Sequence, residues 1–122
     1  MPPMTTYSFG DVLLVPFPFT DQTTTKKRPT IVISSNAYNR QKPDILLIAV
    51  TSQINTQLEF GEMLIDEWEK AGLIKLSAVK PIITTLEKYL VIKKLGKLES
   101  VDIQSLKNLL QQIIVTKNSK PL

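Results

Sequence analysis

The sequence predicts a mainly β fold: a small antiparallel barrel carrying a short helical turn and one C-terminal helix. Three observations predict it. Apolar runs of strand length recur between polar or proline-marked breaks. One longer segment near the C-terminus repeats its apolar residues every three or four positions. No internal repeat, linker or regular strand–helix alternation appears, which disfavours a parallel sheet with crossover helices. The 122 residues suffice for one domain, 1–122, with flexible tails expected at 1–7 and 116–122.

Phe9-Gly10-Asp11 opens the fold, and Asp11 should cap the turn before the first strand. Val12-Leu13-Leu14-Val15 is continuously apolar, as expected of a strand buried on both faces. Pro16 and Pro18 should end its regular pairing, because proline has no N–H to donate. Phe17 and Phe19 then serve packing or a stacking platform, with packing favoured. Thr20 to Lys27 is a polar loop without apolar anchors, expected to face a substrate.

The second strand is expected from Pro29 to Ser34, placing Arg28 where loop becomes strand. A guanidinium on such a base suits gripping a phosphate or carboxylate, although a surface ion pair is the commoner role. Residues 35–39 should make a turn or short connection. Ile45 to Val50 is the third strand, closed by Thr51-Ser52-Gln53. That polar triplet fits strand-end capping and a binding site equally well.

Gln57 to Ile65 reads as a moderate strand. Asp66 to Leu73 reads as a helical turn stopped by Gly72, with Trp68 packed into a groove. A strand interrupted at Pro81 follows over 77–86, then a short strand over 89–96. Ser100 should cap the final helix. Its buried stripe is Val101, Ile103, Leu106, Leu109, Leu110, Ile113 and Ile114, with Asp102 favouring the helix dipole in the first turn.

Composition narrows the chemistry. The chain has neither histidine nor cysteine. Disulfides, thiolate nucleophiles and histidine general bases are excluded, and no metal or other cofactor is expected. No signal-like or membrane-spanning apolar run appears, which fits a cytoplasmic home. The net charge is +4, but residues 57–70 carry −4, leaving +8 on the rest. That asymmetry suits a polyanion such as nucleic acid, or an acidic disordered protein; charge alone fits simple solubility as well.

Several of these segments, taken in order, resemble the MazF/PemK (Kid) toxins of toxin–antitoxin pairs. They are Gly10-Asp11-Val12, Arg28-Pro29 before Ile31-Val32-Ile33-Ser34, and Val50-Thr51-Ser52-Gln53. Asp66, Trp68, Ala71-Gly72-Leu73, Ser77, Val79, Thr84-Thr85-Leu86 and Gly96-Lys97-Leu98 extend the likeness over nearly the whole chain. The resemblance implies an SH3-like barrel of the CcdB/MazF type that forms a homodimer. It implies metal-independent, sequence-specific cleavage of single-stranded RNA, and inhibition by a cognate antitoxin. The catalytic pair it implies is Arg28 with Thr51, and the loop over Thr20 to Lys27 is the segment that closes over RNA. Thr20, Asp21, Lys26, Lys27, Ser52 and Gln53 are the candidate substrate contacts; the general base stays unnamed, with Asp21, nearby in the loop, one candidate. Two departures stand out: this chain has Pro81-Ile82-Ile83-Thr84-Thr85 near where some relatives carry a polar Gln-Ile-Arg run, and Leu76 stands where many have proline. A non-catalytic RNA-binding barrel is one alternative. A gyrase-binding toxin ranks lower, because the C-terminal residues 118–122 lack a tryptophan.

Overall fold

The structure is a computed structural model and describes residues 6–17, 26–55 and 57–115. Its strands are β1 (Asp11–Phe17), β2 (Lys26–Val32), β3 (Asp44–Thr51), β4 (Met63–Leu64), β5 (Ala78–Glu87) and β6 (Lys93–Lys97). The helices are α1 (Asn36–Gln41) and α2 (Ser100–Ile113). All six strands join one antiparallel sheet, ordered β4-β5-β3-β2-β1-β6, which curls into a half-barrel.

The continuous apolar runs are buried on both faces, as expected. Along β3, Ile45, Leu47 and Ala49 enter one core, while Ile48 and Val50 enter another. Along β1, Leu13, Val15 and Phe17 join the first of these and Val12 the second. Alternate side chains point to opposite faces of a strand, so an uninterrupted apolar sequence serves two cores at once. α2 covers the Ile48–Val50 core with Leu106 and Leu109, helped by Ile103, Leu110 and Ile113. Tyr7, Leu86 and Val91 close the other.

Asp11 performs the expected turn role. Its carboxylate accepts the Ser8 N–H at 2.8 Å and pairs with Lys94 at 3.3 Å. Phe17 is core, only 2% exposed, whereas Phe19 lies outside the described residues. The Asp66–Leu73 turn ends as expected at Gly72, whose φ is +91°. Gly72 N–H donates to the Glu69 carbonyl and Leu73 N–H to that of Trp68, at 3.1 and 3.0 Å. This is a Schellman ending, with Leu73 and Trp68 packed on the same core. A β-carbon on Gly72 would collide with the Leu95 carbonyl, so glycine also permits the close approach of β6.

Several boundaries differ from expectation. Pro16 does not end β1: it pairs with Lys27, and Phe17 with Lys26. Proline is tolerated there because β6 flanks β1 only as far as Leu14, leaving that edge open. β2 therefore starts at Lys26, and the basic triplet belongs to a strand rather than to a loop. The 35–39 connection is the start of a helix, with the Ser35 hydroxyl accepting the Tyr38 N–H. Of the strand expected over 57–65, only Met63–Leu64 pairs, and Phe60 is 79% exposed. β5 runs through Pro81 without a break, because a two-residue register shift against β3 accommodates the proline. The strand expected over 89–96 begins at Lys93, preceded by a 3-10 turn over Lys88–Leu90.

At the start of α2, Glu99 rather than Ser100 holds the cap position, and no side chain caps it. Val101 and Ile114 of the expected stripe are exposed. Asp102 is fully buried instead, and its carboxylate accepts the N–H groups of Asp66 and Glu67, both at 2.9 Å. The helix thus caps the distant 66–73 turn as well as packing beside it.

Candidate functional site

The site begins where β2 and β3 part. Their pairing runs from Val32–Leu47 through Ile31–Ile48 to Thr30–Ala49 and stops there. Continuing the register would set Pro29 against Val50 and Arg28 against Thr51. Pro29 has no N–H to extend the ladder, so the strands separate at this point. β2 itself persists, because β1 still holds Pro29, Arg28, Lys27 and Lys26 through Leu14, Val15, Pro16 and Phe17. On the far side β3 remains paired up to Thr51–Ala78. The result is an open cleft between two supported strand ends rather than between two loose loops.

The cleft encloses about 230 Å³. β2 supplies Lys27, Arg28 and Pro29, and the end of β3 supplies Val50, Thr51, Ser52 and Gln53. Leu73, Ile74, Lys75 and Ser77 complete the lining. Among the described residues, three basic side chains and no carboxylate line this space. Such a lining attracts an anion and offers a planar guanidinium for two parallel hydrogen bonds.

Thr51 is oriented by its own neighbourhood. Its hydroxyl oxygen accepts the Gln53 N–H at 3.0 Å, leaving the hydroxyl proton to point elsewhere. Arg28 and Thr51 are both half-buried. Among the described residues, no three His, Cys, Asp or Glu side chains gather to hold a metal ion. Among the same residues, no helix is long and apolar enough to cross a membrane.

Of the residues singled out in the sequence, Arg28, Thr51, Lys27, Ser52 and Gln53 meet in the cleft. Lys26 is exposed on β2 beside Phe17 and does not line it. Thr20 and Asp21 lie outside the described residues. Leu73, Ile74, Lys75 and Ser77 were not anticipated as lining. Their only local sign is a lysine set between two apolar residues, just past a helix-stopping glycine.

No curated protein matches the chain. Solved structures do. An endoribonuclease from a mycobacterial species is 16% identical, with 95% of this chain and 98% of that one covered at a TM-score of 0.74. An endoribonuclease in complex with its cognate antitoxin, also mycobacterial, is 17% identical, with coverages of 88% and 92% and a TM-score of 0.68. MazF from Deinococcus radiodurans is 16% identical, with coverages of 93% and 100% and a TM-score of 0.71. At these identities the likeness is one of fold. The family model for PemK-like, MazF-like toxins matches residues 8–114 and so takes in both walls of the cleft. The chain therefore belongs to the PemK-like, MazF-like toxins of type II toxin–antitoxin systems.

Proposed function

We propose that this toxin is a metal-independent, sequence-specific endoribonuclease acting on single-stranded RNA through the cleft between β2 and β3. One observation carries the reading: the ladder stops at Thr30–Ala49, and the opening it leaves joins Arg28, Thr51 and two lysines.

Cleavage of RNA needs no protein nucleophile. The 2′-hydroxyl oxygen attacks the adjacent phosphorus, and the bond from phosphorus to the 5′-oxygen breaks. The 2′-hydroxyl loses its proton and the departing 5′-oxygen gains one. The products are a 2′,3′-cyclic phosphate, or the 3′-phosphate it yields, and a 5′-hydroxyl. Negative charge grows on the non-bridging oxygens during attack. Arg28 can meet two of them at once, and the Thr51 hydroxyl can donate a further bond. Both groups are held in place before substrate arrives, which lowers the cost of aligning the attack. Arg28 is a poor proton donor to the 5′-oxygen because its pKa is so high, and the general base stays unassigned.

The same reading makes the chain one catalytic domain that pairs as a homodimer and is silenced by an antitoxin. Exposed Ile82 and Ile83 on β5 and Ile114 and Val115 beyond α2 give a dimer apolar surface to bury. Its molar mass in solution tests the pairing.

The decisive experiment is incubation of a long, mixed-sequence RNA with purified protein in EDTA, with the new ends mapped and Arg28→Ala alongside. Cuts at one short recurring motif, ending in a cyclic phosphate and a 5′-hydroxyl and lost in the variant, are expected. A folded protein that binds this RNA without cutting it would overturn the catalytic reading in favour of a non-catalytic RNA-binding barrel.

A further inference from the structure

The cleft has a second wall, made by the segment that enters β5. It is anchored at both ends. Leu73, only 7% exposed, completes the Schellman ending of the preceding turn. Ser77, 3% exposed, donates its hydroxyl to the Lys75 carbonyl at 2.8 Å, and its own carbonyl accepts the Ile65 N–H at 2.9 Å. Between these anchors Ile74 is 88% exposed at the cleft. An isoleucine so placed contributes almost nothing to the core, and the bonded ends show that its exposure is not fraying. Lys75 beside it is exposed and makes no ion pair among the described residues.

We infer that Ile74 and Lys75 form the wall that selects and holds the nucleotide next to the scissile phosphate. The inference rests on the RNA-cleaving reading and names how that site chooses its substrate. Lys75 takes a phosphate flanking the one gripped by Arg28. Ile74 packs against the face of the neighbouring base, an apolar contact that an unpaired base can make and a stacked duplex base cannot. The cationic lining favours a polyanion, and the exposed apolar group beside it favours one that also carries flat apolar faces; single-stranded RNA offers both.

Two measurements test the wall. A 2′-O-methylated, mixed-sequence single strand, which lacks the attacking hydroxyl, is titrated by fluorescence anisotropy across a salt series. Lys75→Ala should lower the slope of log affinity against log salt by about 0.7, the loss of one phosphate contact on a single strand. Lys107→Ala, an exposed lysine on α2 outside the cleft lining, should leave the slope unchanged. In the cleavage assay, Ile74→Ala should cut about fivefold more slowly and show a relaxed base preference at one position beside the cut. Thermal melts of both variants should match the parent, since neither side chain is buried. If either variant binds and cuts as the parent does, the wall is overturned. If the parent itself neither binds nor cuts RNA, the reading beneath it has failed instead.

Discussion

Arg28 and Asp102 are both ionisable side chains placed by the sheet-and-helix frame, and they are treated in opposite ways. Asp102 has no solvent exposure, and two backbone N–H groups meet its carboxylate at 2.9 Å. Those donors come from a turn 35 and 36 residues away, so the contact ties α2 to the segment that covers the core. Arg28 is half-buried at the mouth of a cleft shared with Lys27 and Lys75. A buried charge met by fixed backbone donors holds a fold together. Basic side chains gathered at an open cleft are placed to meet an anion instead. On the proposed reading, stability and function are carried by different charges in different places.

The sharpest way to break that division is to mutate Arg28 and measure both properties. Arg28→Ala should slow RNA cleavage by at least about 10³-fold, because it removes a paired donor to the charge that grows at phosphorus. Arg28→Lys should restore little, since an ammonium keeps the charge and loses the planar fork. Urea unfolding of both should stay within about 1 kcal/mol of the parent. A larger loss of stability would make Arg28 a structural residue and dissolve the contrast.

Asp102→Ala should show the reverse. It strands the Asp66 and Glu67 N–H groups against the buried face of α2 and should cost about 2–3 kcal/mol. That corresponds to a fall of roughly 10 °C or more in the thermal midpoint of a domain this size. Asp102→Asn keeps one acceptor oxygen and should lose about half as much. Well below the midpoint, cleavage by either variant should remain within about threefold of the parent. An Asp102→Asn protein of parental stability that cuts poorly would move Asp102 to the working side.

The two residues were unequally legible in the sequence. Arg28 stood out because a basic triplet meets proline and a β-branched run, a local pattern that a family resemblance could sharpen. Asp102 could be read only as a first-turn acid on a helix dipole, because its partners are distant in sequence. The apolar runs of β1 and β3 announced two-faced burial correctly, since strand alternation is local. The 57–65 segment misled: Leu58 and Phe60 mimic a strand, yet they are 37% and 79% exposed and only residues 63–64 pair. The Ile74–Lys75 wall was invisible for another reason. Its position beside Thr51 follows from the register of β5 on β3, which no local pattern states.

A smaller effect sharpens the division within the cleft itself. Thr51→Val keeps the shape of the side chain and removes both its donor and the acceptor used by Gln53 N–H. Cleavage should fall about tenfold, the usual worth of one hydrogen bond that strengthens in the transition state. The loss should appear in kcat with KM nearly unchanged, because the substrate carries less charge at that oxygen than the transition state does. A rise in KM alone would instead make Thr51 a binding contact.

The smallest effect concerns a second buried carboxylate, Asp11, which is 1% exposed, accepts the Ser8 N–H on one oxygen and pairs with the Lys94 ammonium through the other. Burial raises the pKa of Tyr7 above its ordinary value of 10.0, and the nearby Asp11 charge raises it further. Ionised Tyr7 would be a second negative charge in an apolar core, so the fold favours the neutral phenol. The unfolded chain releases that proton first, near pH 10, and below that pH the stabilisation is fully present. As pH climbs from about 10 through the higher folded value, the unfolded state binds fewer protons than the native one, and stability falls. Tyr7→Phe cannot ionise, so its urea midpoint should decline less than the parent's over that range while cleavage at neutral pH is unaffected. Tyr38 is also raised, chiefly by donating to Asp44 at 2.7 Å, and Tyr38→Phe supplies the comparison at a more exposed position. Identical alkaline profiles for Tyr7→Phe and the parent would show that Asp11 and its surroundings tolerate a second charge, and that corner would no longer belong with Asp102.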